Sequence, residues 1–181
     1  MLTAGRLSPE RSVPSSIERP EYVGQIAPLP YRGSFVRDAA TIEAMRVAGR
    51  IAAQALDAVE AAIAPGVTTD ELDRVGHEFL IAHGAYPSTL GYRGYPKSLC
   101  TSVNEIVCHG IPDSRRLQDG DIVNVDVTAF IEGVHGDTSA TFVVGEIDAE
   151  RRVLVETTKR ALHAGIAVVR PGARLGDIAA A

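Results

Sequence analysis

Two carboxylates carry the clearest chemistry in this chain. In Asn124-Val125-Asp126-Val127-Thr128-Ala129-Phe130 polar residues alternate with apolar ones, and a second β-rich run, Val134–Val144, follows directly after Glu132-Gly133. Two such runs separated by two residues ending in Gly predict a hairpin. With Glu132-Gly133 as the loop, Ile131 pairs with Val134, Thr128 with Asp137 and Asp126 with Ser139. The two-residue side-chain period then sets Asp126, Thr128, His135, Asp137 and Ser139 on one face. The two carboxylates become diagonal neighbours, roughly 7–8 Å apart at the backbone. No Lys or Arg shares that face. Close carboxylates in a partly desolvated sheet force one to stay protonated unless a cation compensates. Hard divalent ions take such oxygens, so one reading is a two-metal site with Asp126 and Asp137 as ligands. The other is a solvated polar face, where Asp and Thr are ordinary. A one-residue change in the loop would send one Asp to the opposite face.

Other reactive side chains carry less by themselves. Cys108 and His109 are chain neighbours in a strand-like stretch, so they point to opposite faces and cannot form a dyad with each other. His109 precedes the turn Gly110-Ile111-Pro112-Asp113, where strand ends often present functional groups. The ordinary alternative is a satisfied structural histidine. Cys100 and Cys108 read as small apolar residues. Tyr92 and Tyr95 flank Gly91 and Gly94, which suits either an apolar pocket wall or loop packing. His77, His83 and His163 have no carboxylate partner at ligand spacing and are assigned no role.

The elements that must hold these residues follow from periodicity. Ile42, Met45, Ala48, Ile51 or Ala52, Ala55 or Leu56, Val59 and Ile63 recur at three- and four-residue steps and predict a long helix from about Thr41, stopped by Pro65-Gly66. Thr68 and Glu71 match a capping box for a second helix with the stripe Leu72, Val75, Phe79 and Leu80, closed by Gly84. Ser98 to His109 is β-branched enough for one or two short strands. A third helix fits Asp148 to Val169, with Asp148 as cap and Val153, Leu154, Ala161, Leu162, Ile166 and Val169 on one face. A long helix, a Pro-Gly break and an acidic start to a new helix occur twice, at Pro65 and Pro171, 106 residues apart. This is a weak repeat signal whose second copy is cut off after one turn.

Composition bounds the setting. The chain has 181 residues, a net charge of −5 and 45% hydrophobic residues, enough for a core and too acidic for a broad nucleic-acid surface. Two cysteines cannot form a disulfide framework, so they read as reduced thiols in a cytoplasmic protein. No signal peptide and no apolar run of membrane-spanning length is evident. Five of the ten prolines lie before Phe35, so residues 1–34 are expected to be a flexible extension lacking regular structure. Within it, Pro28-Leu29-Pro30-Tyr31-Arg32 could dock an aromatic groove or simply stay solvated.

Four motifs in order, Gly91–Ser98, Ser102–Asp113, Asp119–Thr128 and Gly133–Thr138, resemble type I methionine aminopeptidases over residues 35–181. The resemblance implies an α+β pita-bread fold, of which residues 35–181 are the N-terminal part of the catalytic domain. It implies two divalent metal ions (Co, Mn, Fe, Zn or Mg), with Asp126 and Asp137 matching two ligands. His109 matches a catalytic histidine that contacts substrate, and Thr89, Tyr92, Tyr95 and Cys100 match residues lining the methionine pocket. The implied reaction is removal of the initiator methionine from nascent chains with a small second residue. The extension resembles that of actinobacterial and eukaryotic type I enzymes, and the ribosome is a partner it could serve. DNA and membranes are not expected partners, and the full-length protein is expected to be a monomer.

The family's remaining ligands, a His and two Glu, have no counterpart in these residues, so the 181-residue chain is expected to be an inactive truncated form. Two alternatives remain, a metal-free pita-bread binding protein and a proline dipeptidase. Retention of Asp126, Asp137 and His109 argues against the first, and the motifs at Gly91–Ser98 and Cys108–Asp113 against the second.

Overall fold

A computed structural model describes residues 4–181; residues 1–3, the start of the expected extension, lie outside the described residues. The chain divides into two compact units, Met1–Gly145 and Glu146–Ala181.

In the first unit, α1 (Ala39–Glu60) begins two residues before the expected Thr41, because Asp38 caps it by accepting from the Thr41 amide at 2.8 Å. It ends five residues before Pro65, in a short turn rather than at the proline itself. The stripe narrows at the N-terminus. Ala48, Ile51, Ala52, Ala55, Leu56 and Val59 are buried, whereas Ile42 and Met45 are exposed. The second helix, α2 (Thr69–Ala82), opens with the capping box expected of Thr68 and Glu71.

Four antiparallel strands follow. They are β1 (Tyr86–Pro87), β2 (Cys100–Val103), β3 (Ile122–Ile131) and β4 (Val134–Val143). β3 is central, with β4 along one edge and β1 and β2 pairing in tandem along the other. The hairpin register is the one read from the sequence, with Ile131 opposite Val134, Thr128 opposite Asp137 and Asp126 opposite Ser139. Glu132 and Gly133 both take positive φ, 52° and 74°, as a primed two-residue turn requires. One face of β3 buries Val123, Val125, Val127 and Ala129 with the stripe of α1 and with Leu72 and Leu80 of α2. The other face carries Asn124, Asp126 and Thr128. The sheet is thus two-sided in character, one side core and one side polar.

Among the described residues the N-terminal segment forms no helix or strand, as its prolines dictate, and it makes contacts along the rest of the unit. The Gly5 amide donates to Asp113 at 2.7 Å, and Ser8 and Arg11 reach Asp70 and Asp73 on α2. Ile17 and Tyr22 are buried, Ile17 clustering with Tyr86, Leu90 and Phe130. Polar anchors at one end and apolar side chains at the other offset the entropy of ordering a segment without helix or strand.

The second unit holds α3 (Ala149–Ala167), capped by Asp148 as expected, and α4 (Leu175–Ala180). The face of α3 bearing Val153, Leu154, Leu162 and Ile166 is exposed, at 57–62% per residue, and the helix ends two residues before the expected Val169. The repeat has a structural counterpart. The Arg174 amide donates to Asp177 at 2.8 Å, as the Thr68 amide donates to Glu71 at 2.8 Å.

Candidate functional site

The polar face of the β3–β4 hairpin forms part of a cavity of about 850 Å3. Asp126 and Asp137, expected as diagonal neighbours, both line it. Burial and then the neighbouring Asp137 carboxyl push the Asp126 carboxyl up to about 6, while the His109 ring draws it partly back. Thr128 donates its hydroxyl to Asp137 at 2.8 Å and so fixes that carboxylate. Among the described residues neither carboxylate is in a salt bridge. A pair of hard oxygens with no salt-bridge partner suits a divalent cation. Among the described residues no group of three or more His, Cys, Asp or Glu stands at ligand spacing.

The expected pocket residues come together in the same cavity. Thr89, Tyr92, Tyr95, Cys100 and His109 all line it. Cys100 stands opposite Asp126 in the β2–β3 ladder, which ties the pocket wall to the carboxylates through one residue pair. Burial pushes the Cys100 thiol up to about 11, keeping it protonated and apolar in character. The Tyr95 hydroxyl lies 3.1 Å from the Leu99 carbonyl and 2.9 Å from that of Gly110, stapling the loop after β2 against the pocket. His109 takes φ of 53°, and Gly110 lies so close to the Thr101 carbonyl that a Cβ there would collide with it. That close approach turns His109 into the cavity rather than along a strand. Cys108 is exposed and does not line the cavity.

Sequence reasoning set His135 on this face but missed what holds it and what completes the cavity wall. Ser88 holds His135 through its hydroxyl, 2.9 Å from Nδ1, and the His135 ring packs on Phe130 with centroids 4.9 Å apart. Glu21, Tyr22, Pro28, Leu29 and Tyr31, all from the N-terminal segment, also line the cavity. The aromatics in an otherwise proline-rich stretch were the one available signal.

Two carboxylates on the polar face of a sheet beside an apolar cavity offer the hard oxygen donors that divalent cations take. The chain belongs to metallopeptidase family M24, whose model matches residues 43–181. It is 58% identical over 177 residues to "Methionine aminopeptidase 2" of Mycobacterium tuberculosis, a match covering 98% of this chain and 62% of that protein. The methionine aminopeptidase structure from Rickettsia prowazekii superposes with a TM-score of 0.78 at 45% identity, over 79% of this chain and 58% of that one. Escherichia coli aminopeptidase P, at 23% identity and a TM-score of 0.69 over 79% of this chain and 32% of that one, shares the fold alone. The fold is the pita-bread fold, and family membership carries divalent-metal use. The chain spans about three-fifths of the length of the first two relatives. Neither the metal-free binding protein nor the proline dipeptidase is favoured by these likenesses.

Proposed function

We propose that this chain carries the metal-binding sheet and the methionine pocket of a methionine aminopeptidase, which removes the initiator methionine from nascent chains with a small second residue. The observation that carries the reading is that Asp126 and Asp137 line one cavity with Tyr92, Tyr95 and Cys100. Asp126 and Asp137 would hold two divalent ions, any of Mn, Fe, Co, Zn or Mg suiting their oxygens, whose chemistry when bound is to acidify a water and polarise a carbonyl. Thr128 keeps Asp137 oriented through its hydroxyl. The methionine side chain lies against Tyr92, Tyr95 and Cys100, with Thr89 beside them, since apolar walls and a thiol suit a thioether. His109 donates its ring N–H to the oxygen on which negative charge develops at the scissile amide.

The unpaired Cys100 and Cys108 suit a reducing cytoplasm. No helix among the described residues is long and apolar enough to cross a membrane. Ile26, Phe35 and Val36, exposed and outside the cavity lining, are the side chains through which a partner such as the ribosome would be met.

Two carboxylates do not complete a dinuclear site, so the 181 residues alone are expected to release no methionine from Met-Ala-Ser with manganese. Continued by the C-terminal portion of the Mycobacterium tuberculosis relative, they are expected to release it, and Asp137→Asn in that chimera to abolish release. A folded chimera that releases none, or that cleaves only peptides beginning Xaa-Pro, would overturn the reading.

A further inference from the structure

We infer that Tyr22 is a positioning residue for the pocket, so that the N-terminal segment takes part in selecting the first side chain of a peptide. The inference rests on the methionine-pocket reading above and adds a residue that the sequence motifs do not contain.

Tyr22 is 5% exposed although it sits in a segment with no helix or strand. Its hydroxyl donates to the Ser88 carbonyl at 2.5 Å. Its ring meets Tyr92 edge-on, with centroids 5.2 Å apart and planes at 89°. It lies parallel to the His135 ring, with centroids 6.2 Å apart and planes at 17°. Tyr22 therefore touches the cavity in two ways. It lines the wall itself, and it braces two other wall residues, Tyr92 and His135. His135 stands opposite Phe130, one same-face pair along the ladder from Thr128 and Asp137. A shift of this aromatic stack is thus felt at the carboxylates and at the pocket together. Aromatic pairs of this geometry contribute beyond their buried area, which is what holds Tyr92 in place where it is otherwise partly exposed.

The segment is held well enough for that task. Ser8 and Arg11 join it to Asp70 and Asp73, and Ser12 accepts from the His77 ring at 3.2 Å. Ile17 is buried between these anchors and Tyr22. The ligand class that this wall suits is a peptide whose first side chain is apolar and unbranched at Cβ, passing Tyr92 and Tyr95.

The test is binding of Met-Ala-Ser and Gly-Ala-Ser to the 181-residue chain, followed by amide NMR, with melting temperatures measured in parallel. Wild type is expected to prefer Met-Ala-Ser. Tyr22→Ala is expected to weaken Met-Ala-Ser about tenfold and leave Gly-Ala-Ser within twofold, and Tyr22→Phe, which keeps the ring, to restore the preference. Should Tyr22→Ala fail to fold, Tyr22→Leu carries the same expectation. Equal losses for both peptides, or a retained preference in the variant without the ring, would overturn the role of Tyr22 alone. A wild-type chain with no preference for Met over Gly would overturn the pocket reading and this inference with it.

Discussion

The Lys97 ammonium, on a side chain with no solvent exposure, stands 2.5 Å from the Asp70 carboxylate on α2. Ser8 of the N-terminal segment completes the group, its hydroxyl 2.5 Å from the ammonium and 2.6 Å from the same carboxylate oxygen. Burial pushes the Asp70 carboxyl up, but hydrogen bonds from Lys97 and Ser8 and the charges of Lys97 and Arg11 outweigh it and hold the group below its ordinary range. One cation therefore ties together α2, the loop before β2 and the N-terminal segment.

Removing that charge leaves Asp70 with Arg11 as its remaining cation. Lys97→Met, similar in volume, is expected to cost about 3 kcal/mol in urea unfolding. Trypsin should also cut faster at Arg6 and Arg11 in the variant. An unchanged unfolding midpoint and cutting rate would show that the group does not anchor the segment.

The Asp126 carboxyl sets a pH dependence of the metal-free chain. Its folded pKa, about 6, is above the unfolded value, so between those values the native state binds more protons and stability falls as pH rises. His77 and His135, kept neutral by burial, pull the opposite way as pH falls. The difference between Asp126→Asn and wild type separates the two effects. The melting-temperature gain of the variant is expected to be larger at pH 7 than at pH 4.5, and a constant gain would contradict the shift.

Divalent metal should stabilise the native state, since the unfolded chain does not hold the two carboxylates together. At a hundred times its dissociation constant, manganese is expected to add about 2.7 kcal/mol at pH 7.5. Calorimetry and thermal unfolding would read this, and both Asp126→Asn and Asp137→Asn should remove it. Retention of the effect in both variants would place the ion elsewhere.

Gly136 separates His135 from Asp137 and lies where a Cβ would strike the α1 backbone at Ala48 and Gly49. Gly136→Ala therefore forces α1 and β4 apart. It is expected to cost about 2–3 kcal/mol in chemical unfolding. The same displacement moves Asp137, so manganese affinity should fall as well, and a variant equal to wild type in both measurements would contradict this close packing.

What the sequence determined was local and periodic. The alternation of β3 and the two-residue Glu132-Gly133 loop set the register and the face that carries Asp126, Thr128 and Asp137, and the Thr68–Glu71 box set the start of α2, because neighbours in chain and ladder follow repeating geometry. The tertiary structure alone decided the docking of Ser8, Arg11, Ile17 and Tyr22, the burial of Lys97, and the need for glycine at Gly110 and Gly136. Those contacts join residues far apart in the chain, through charge pairing and close backbone approach, and neither leaves a period in the sequence. The same limit applies to α3, whose apolar stripe is plain in the sequence, yet periodicity names a face without naming what covers it.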